Sequence, residues 1–201
     1  MEDRDSAALQ LLAPLSGPFL PWASYALRPE GILTFLNAIV LLNASRIVEC
    51  GAGVSTVYAA RLFAQQGRGQ LHSSEEDPVW ADRVMQQLRQ QNIDKYVTMY
   101  VVPQGPDRWY RREDLEPLRT TPIDVLLVDG PASWGRGGAV DTFGDSLAPD
   151  YAVILDDVWW PEIEKDLRRW ETRLGVRGSR QYRQGGVGVL RPSGSRLDIT
   201  Y

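Results

Sequence analysis

Short apolar runs alternate with helix-patterned segments along most of this chain, and that alternation limits its fold more than any other feature. Residues 123–128 (IDVLLV) and 151–156 (YAVILD) are apolar at consecutive positions, so strands here need cover on both faces. Further strands are expected at 46–50, 70–75 and 97–102. Helical patterns near 55–65, 78–91, 137–147 and 160–173 lie between them, with a short one near 113–118. Ahead of these, Pro29 suits a first helical turn, and Ile32, Phe35, Leu36, Ile39 and Val40 recur at three- and four-residue spacings. Strand–helix units in series call for α/β architecture, an open, mostly parallel sheet covered by helices. The end of the chain departs from that rhythm. SRQYRQGGVGVLRP reads as two strands around Gly185 and Gly186 with no helix between, an antiparallel β-hairpin at one edge. Residues 1–28, with prolines at 14, 18 and 21, read as an irregular lead-in.

The length of 201 residues fits one domain, with a lead-in and helix over 1–45 and a ligand-binding core over 46–192. A net charge of −4 gives no electrostatic case for nucleic acid or an anionic membrane. The single cysteine, Cys50, cannot pair within the chain, which suits a reducing cytoplasm. MEDRDSAALQLL opens acidic, unlike a signal peptide, and no apolar stretch is long enough to span a bilayer.

In a doubly wound sheet, ligands bind beyond the carboxyl ends of the strands. The loop from Glu49 through Gly51 and Gly53 to Ser55 and Thr56 lies at such an end. Its glycines would let a ligand approach the backbone, and Ser55 or Thr56 could cap the next helix. No Gly-Lys-Ser/Thr follows, so a phosphate loop is excluded. A dinucleotide fares poorly too: Thr56 replaces the third glycine, and Glu49 would set a carboxylate against a pyrophosphate. A cation beside Glu49 is electrostatically consistent. The second strand ends in Glu75-Glu76-Asp77, where an acid can hold ribose hydroxyls. A nucleoside with a cationic amino-acid tail and no phosphate describes S-adenosylmethionine.

VECGAGVSTVYAARL, SSEEDPVWADRV, IDVLLVDGP and YAVILDDV, in that order, resemble class I S-adenosylmethionine-dependent methyltransferases over roughly residues 30–192. The resemblance implies a Rossmann-like, doubly wound, mostly parallel seven-stranded sheet ending in the antiparallel hairpin. It implies that Gly51 and Gly53 line the methionine moiety with Glu49 nearby, that Glu75 holds the ribose hydroxyls, and that Gln104 lies by the adenine, with Ser55, Thr56 and Glu76 as further candidate cofactor contacts. Asp129, Asp156 and Asp157 fall at strand ends on the ligand side, a set whose donor type suits Mg²⁺. They resemble the aspartates of metal-dependent O-methyltransferases of the catechol and the macrocin or antibiotic-sugar types. The same three aspartates are the candidate catalytic residues, and Asp129 is also a candidate cofactor contact. Two departures matter: Ala132 stands where the catechol type has its lysine, and Pro131 where the sugar type has an aspartate base. Asp129, Asp156 or Asp157 on a metal, Asp141, or no protein group at all would then act as base.

Trp134, Arg136, Trp159, Trp160 and Tyr25 are candidate substrate contacts, with Trp22 and Arg28 nearby. Aromatics with arginine suit a flat or glycosylated small molecule. The short, aromatic lead-in leaves little room for a substrate domain and would suit a homodimer. The expected function is methyl transfer to a small molecule, a hydroxyl oxygen before nitrogen or carbon. An inert or partner-dependent cofactor-binding subunit, and an aminopropyl transferase, remain open alternatives.

Overall fold

The computed structural model of the chain describes residues 2–18, 20, 25–132, 135–181 and 185–197. Its strands are β1 (Arg46–Cys50), β2 (Gln70–Glu75), β3 (Val97–Val101), β4 (Ile123–Val128), β5 (Leu147–Leu155), β6 (Ser179–Arg180) and β7 (Gly188–Leu190). They form one sheet in the order β3-β2-β1-β4-β5-β7-β6. β1 to β5 pair in parallel, and β7 runs antiparallel to both β5 and β6. The seven-stranded α/β fold with its terminal hairpin is thus as the sequence implied. β4 lies beside β1 although β2 and β3 intervene in the chain, so strand order reverses there. A crevice opens at the carboxyl ends of strands at such a reversal.

The helices are α1 (Glu2–Leu12), α2 (Pro29–Leu41), α3 (Val54–Gln66), α4 (Pro78–Gln90), α5 (Gly138–Phe143) and α6 (Pro161–Leu174). Period-two alternation along the strands divides the core into two layers. Ile47, Val125, Leu127, Ala152 and Ile154 pack with Phe35, Ile39, Val57 and Phe63 of α2 and α3. Val48, Cys50, Leu126, Val128, Val153 and Leu155 pack on the other side with Val140, Phe143, Leu167 and Trp170 of α5 and α6. Each such Val, Leu or Ile contributes roughly 1.5–3 kcal/mol over leaving it exposed. Among the described residues no helix is long and apolar enough to cross a membrane.

Two local expectations are corrected. The lead-in is not irregular throughout: residues 2–12 are helical, and a 3₁₀ turn covers Ala13–Leu15. Ala8, Leu12 and Leu15 are buried, and the clasp that holds the segment comes from a distant helix. Arg61 of α3 donates to the Leu15 carbonyl at 3.1 Å and the Pro18 carbonyl at 3.0 Å, while Gly17 sits so close that a Cβ would lie 2.7 Å from its guanidinium. The helix expected over 137–147 stops at Phe143, gives way to a 3₁₀ turn over Gly144–Ser146, and is followed by β5 starting at Leu147. Pro149 cannot donate to the ladder, and the β4–β5 register shifts between Ile123 and Val125 beside it.

Candidate active site

Glu49, at the end of β1, is fully buried. Its Oε1 accepts the Ser55 hydroxyl at 2.6 Å, and its Oε2 accepts those of Thr56 and Ser73, each at 2.6 Å. The parallel register sets Ser73 beside Glu49, and the first turn of α3 brings Ser55 and Thr56 over it. Burial pushes the carboxyl up to about 7, against the lowering effect of the Ser55, Ser73 and Thr56 hydroxyls. Both oxygens of Glu49 are engaged by protein hydroxyls, and the residue ties three elements together under the loop. The hydroxyls of Ser55 and Thr56 are spent on it, and Thr56 also accepts the Gly53 amide at 2.8 Å.

Gly51 and Gly53 do different work. Gly51 has φ +93°, and a Cβ there would lie 2.6 Å from the Gly130 amide nitrogen. Its first role is to let the loops after β1 and β4 touch, backbone on backbone. Nothing lies within 4 Å of the place a Gly53 Cβ would take. That space is part of a cleft of about 50 Å³ between Tyr25, Ala26 and Leu27 on one side and Ala52–Ser55, Trp80 and Asp129 on the other. A larger, mainly apolar cavity of about 260 Å³ shares Gly53, Val54 and Trp80 and extends to Leu20, Val57 and Val84. Trp80, which the sequence reading did not single out, donates from Nε1 to the Ala52 carbonyl at 2.8 Å. Its place directly after the acidic end of β2 was the available signal.

Glu75 is nearly buried at the end of β2. Its Oε1 accepts the amides of Glu76 (2.8 Å) and Asp77 (2.9 Å), and its Oε2 accepts that of Ala52 (3.0 Å). Burial raises its pKa against these amides. A carboxylate has about four acceptor positions, so one is left for a ligand hydroxyl. Glu76 accepts the Ala132 amide at 3.1 Å and the Gln104 side-chain amide, linking the loops after β2, β3 and β4.

The loops after β4 and β5 bring Asp129, Asp156 and Asp157 together, with one carboxylate oxygen from each lying within 4.8 Å of the others. Asp156 Oδ1 is buried without a hydrogen-bond partner. Burial and the neighbouring Asp129 and Asp157 hold the Asp156 carboxyl well above the ordinary range. Burial also raises Asp129, against the pull of Arg136. Asp157 adopts the left-handed backbone, φ +62°, which aspartate tolerates better than most residues. Arg136 lies inside this cluster. It contacts Asp129 Oδ1 and Asp157 Oδ2, each at 3.3 Å, and donates to the Asp156 carbonyl at 3.1 Å. By donor type the three carboxylates suit a hard divalent cation. Two of them already hold a guanidinium, so the cluster as it stands fits an arginine and not Mg²⁺.

Arg136 is 8% exposed, so the expectation that it meets substrate gives way to a role among the aspartates. Tyr25 does border the cleft and is 77% exposed. Arg28 is drawn away to Asp5 at 2.5 Å. The rings of Trp159 and Trp160 lie 4.3 Å apart after β5 and are not in the cleft wall. Asp141 is paired with Arg169 at 3.2 Å. Trp22 and Trp134 lie outside the described residues.

A family profile described as a methyltransferase domain matches residues 48–158, which include every one of these strand ends. This chain belongs to the methyltransferase domain family. No curated protein matches its sequence. Its fold is shared with solved methyltransferases. A Staphylococcus aureus protein assigned as a caffeoyl-CoA O-methyltransferase superposes with a TM-score of 0.72 at 11% identity, over 94% of this chain and 99% of that one. The O-methyltransferase TomG of Streptomyces achromogenes, involved in tomaymycin synthesis and solved with S-adenosylmethionine, gives 0.63 at 20% identity, over 95% and 90%. An O-methyltransferase from Bacillus cereus, solved with S-adenosylhomocysteine, gives 0.62 at 16% identity, over 94% and 90%.

Proposed function

We propose that this methyltransferase moves the methyl group of S-adenosylmethionine to a hydroxyl oxygen of a small-molecule acceptor. The observation that carries the reading is Glu75. It is held by three backbone amides at the end of β2, one of them that of Ala52 in the cleft wall, and keeps one acceptor position for a ribose hydroxyl. S-adenosyl compounds bound to the TomG and Bacillus cereus folds support it. The cleft of about 50 Å³ is far below the roughly 300 Å³ or more of an ordinary ligand pocket, and the cavity of about 260 Å³ that shares Gly53, Val54 and Trp80 with it supplies further room.

In the reaction the acceptor oxygen attacks the methyl carbon in line with the carbon–sulfur bond. The oxygen–carbon bond forms, the carbon–sulfur bond breaks, and the sulfonium leaves as a thioether. Alignment supplies much of the acceleration, because holding two reactants at near-attack distance removes most of the entropic barrier. Asp129, the one member of the aspartate cluster in the cleft wall, takes the hydroxyl proton.

Calorimetry with S-adenosylhomocysteine and with NAD tests the ligand, followed by transfer of labelled methyl from S-adenosylmethionine to phenolic, glycosidic and aliphatic alcohols. Binding of S-adenosylhomocysteine alone and a labelled ether product are expected. Binding of NAD in its place would sink the proposal. Cofactor binding with no acceptor methylated would favour an inert subunit.

A further inference from the structure

The loop that carries Arg136 is built to a tolerance that its aspartate partners alone do not explain. A Cβ on Gly135 would lie 2.0 Å from the Arg108 carbonyl oxygen, and one on Gly137 would lie 2.4 Å from Asp166 Oδ1. A Cβ on Gly138 would lie 2.3 Å from the Trp109 ring. The Gly137 carbonyl is gripped by Trp170 Nε1 at 3.1 Å and by the Arg169 guanidinium. With glycine on both sides wedged against fixed neighbours, the backbone has no slack to carry Arg136 elsewhere. Its side chain therefore enters the cluster and meets Asp129, Asp156 and Asp157.

We propose that Arg136 is the built-in cation of this cluster and excludes a divalent metal from it, so that methyl transfer here runs without one. A guanidinium is planar and weakly hydrated, and its fork of N–H donors matches carboxylate oxygens, so it suits a site walled by three aspartates. A metal ion would have to take oxygens of Asp129 and Asp157 that already serve the arginine, and sit against a fixed positive charge. By contacting Asp129, Arg136 also positions the one carboxylate in the cleft wall. Only this last role rests on the methyltransferase reading. Without the arginine, the orphaned Asp156 Oδ1 together with Asp129 and Asp157 would form an open oxygen site.

The test titrates Mn²⁺ and follows its free electron-paramagnetic-resonance signal. The wild type should show no saturable site. Arg136→Met should gain one, bound roughly tenfold or more tighter than any wild-type background, and adding Asp156→Asn should remove it. Arg136→Lys should stay metal-free, because a cation remains. A saturable wild-type site that Asp156→Asn abolishes would overturn the proposal, as would an Arg136→Met protein that folds and gains nothing. If Arg136→Met fails to fold, the wild-type and Arg136→Lys titrations still decide. Calorimetry with S-adenosylhomocysteine on the same samples, with and without EDTA, separates the two readings. Loss of cofactor binding sinks the methyltransferase assignment of the cleft and leaves the metal result standing.

Discussion

At the end of β1, Glu49 is surrounded by three hydroxyls; at the ends of β4 and β5, Asp129 and Asp157 share a guanidinium. Both are acids at strand ends on one edge of the sheet; Glu49 is fully buried, while Asp129 and Asp157 are partly so. Neutral donors satisfy the geometry of Glu49 without cancelling its charge, so burial drives it toward the protonated form. At Asp129 a fixed cation pulls against burial, which still raises the carboxyl, and that cation occupies ground a metal would need. The lesson is that a carboxylate read from sequence has no function until its counter-group is known.

The comparison can be broken at its strongest point first. Replacing Arg136 by Met leaves carboxylates buried together without a counterion and should cost roughly 3–5 kcal/mol in urea unfolding. Mn²⁺ should restore part of that in the variant and nothing in the wild type.

The Glu49 side is tested by pH. Its folded-state pKa of about 7 lies above the ordinary 4.5, so the folded state holds the proton more tightly. The resulting stability is fully present below the lower value and is lost as pH rises to the upper one. Across that window Glu49→Gln should be spared a loss of about 3 kcal/mol that the wild type suffers. Parallel unfolding curves for the two proteins would refute the account.

A smaller effect is expected at Glu75. Glu75→Gln sets an NH₂ group against at least one backbone amide that now donates to the carboxylate, so the anchor and the ribose bond weaken together and S-adenosylhomocysteine should bind about tenfold less tightly, or about 1.4 kcal/mol. The smallest is Ser73→Ala, which removes one of three donors to Glu49 and should lower stability by about 1 kcal/mol with cofactor affinity unchanged.

Much of the architecture was legible in the sequence because strand periodicity and runs such as IDVLLV depend on local pattern and two-sided burial. The place of Glu75 and the meeting of Asp129, Asp156 and Asp157 were legible for the same reason: each stands at or just past the end of a strand, and parallel strands bring their ends to one edge. The helix at 2–12 was not, since its apolar stripe is weak and its anchor, Arg61, lies in a different helix.

Sequence by itself determined the order of the elements, the edge of the sheet where the acids gather, and the identity of the residues there. Only the tertiary structure decided which way each acid turns and what neutralises it. Arg136 reaches Asp156 across twenty positions of chain, and Ser73 reaches Glu49 across twenty-four. Contacts between residues so far apart are set by sheet register and by how closely glycine lets two loops approach, and no local pattern encodes either.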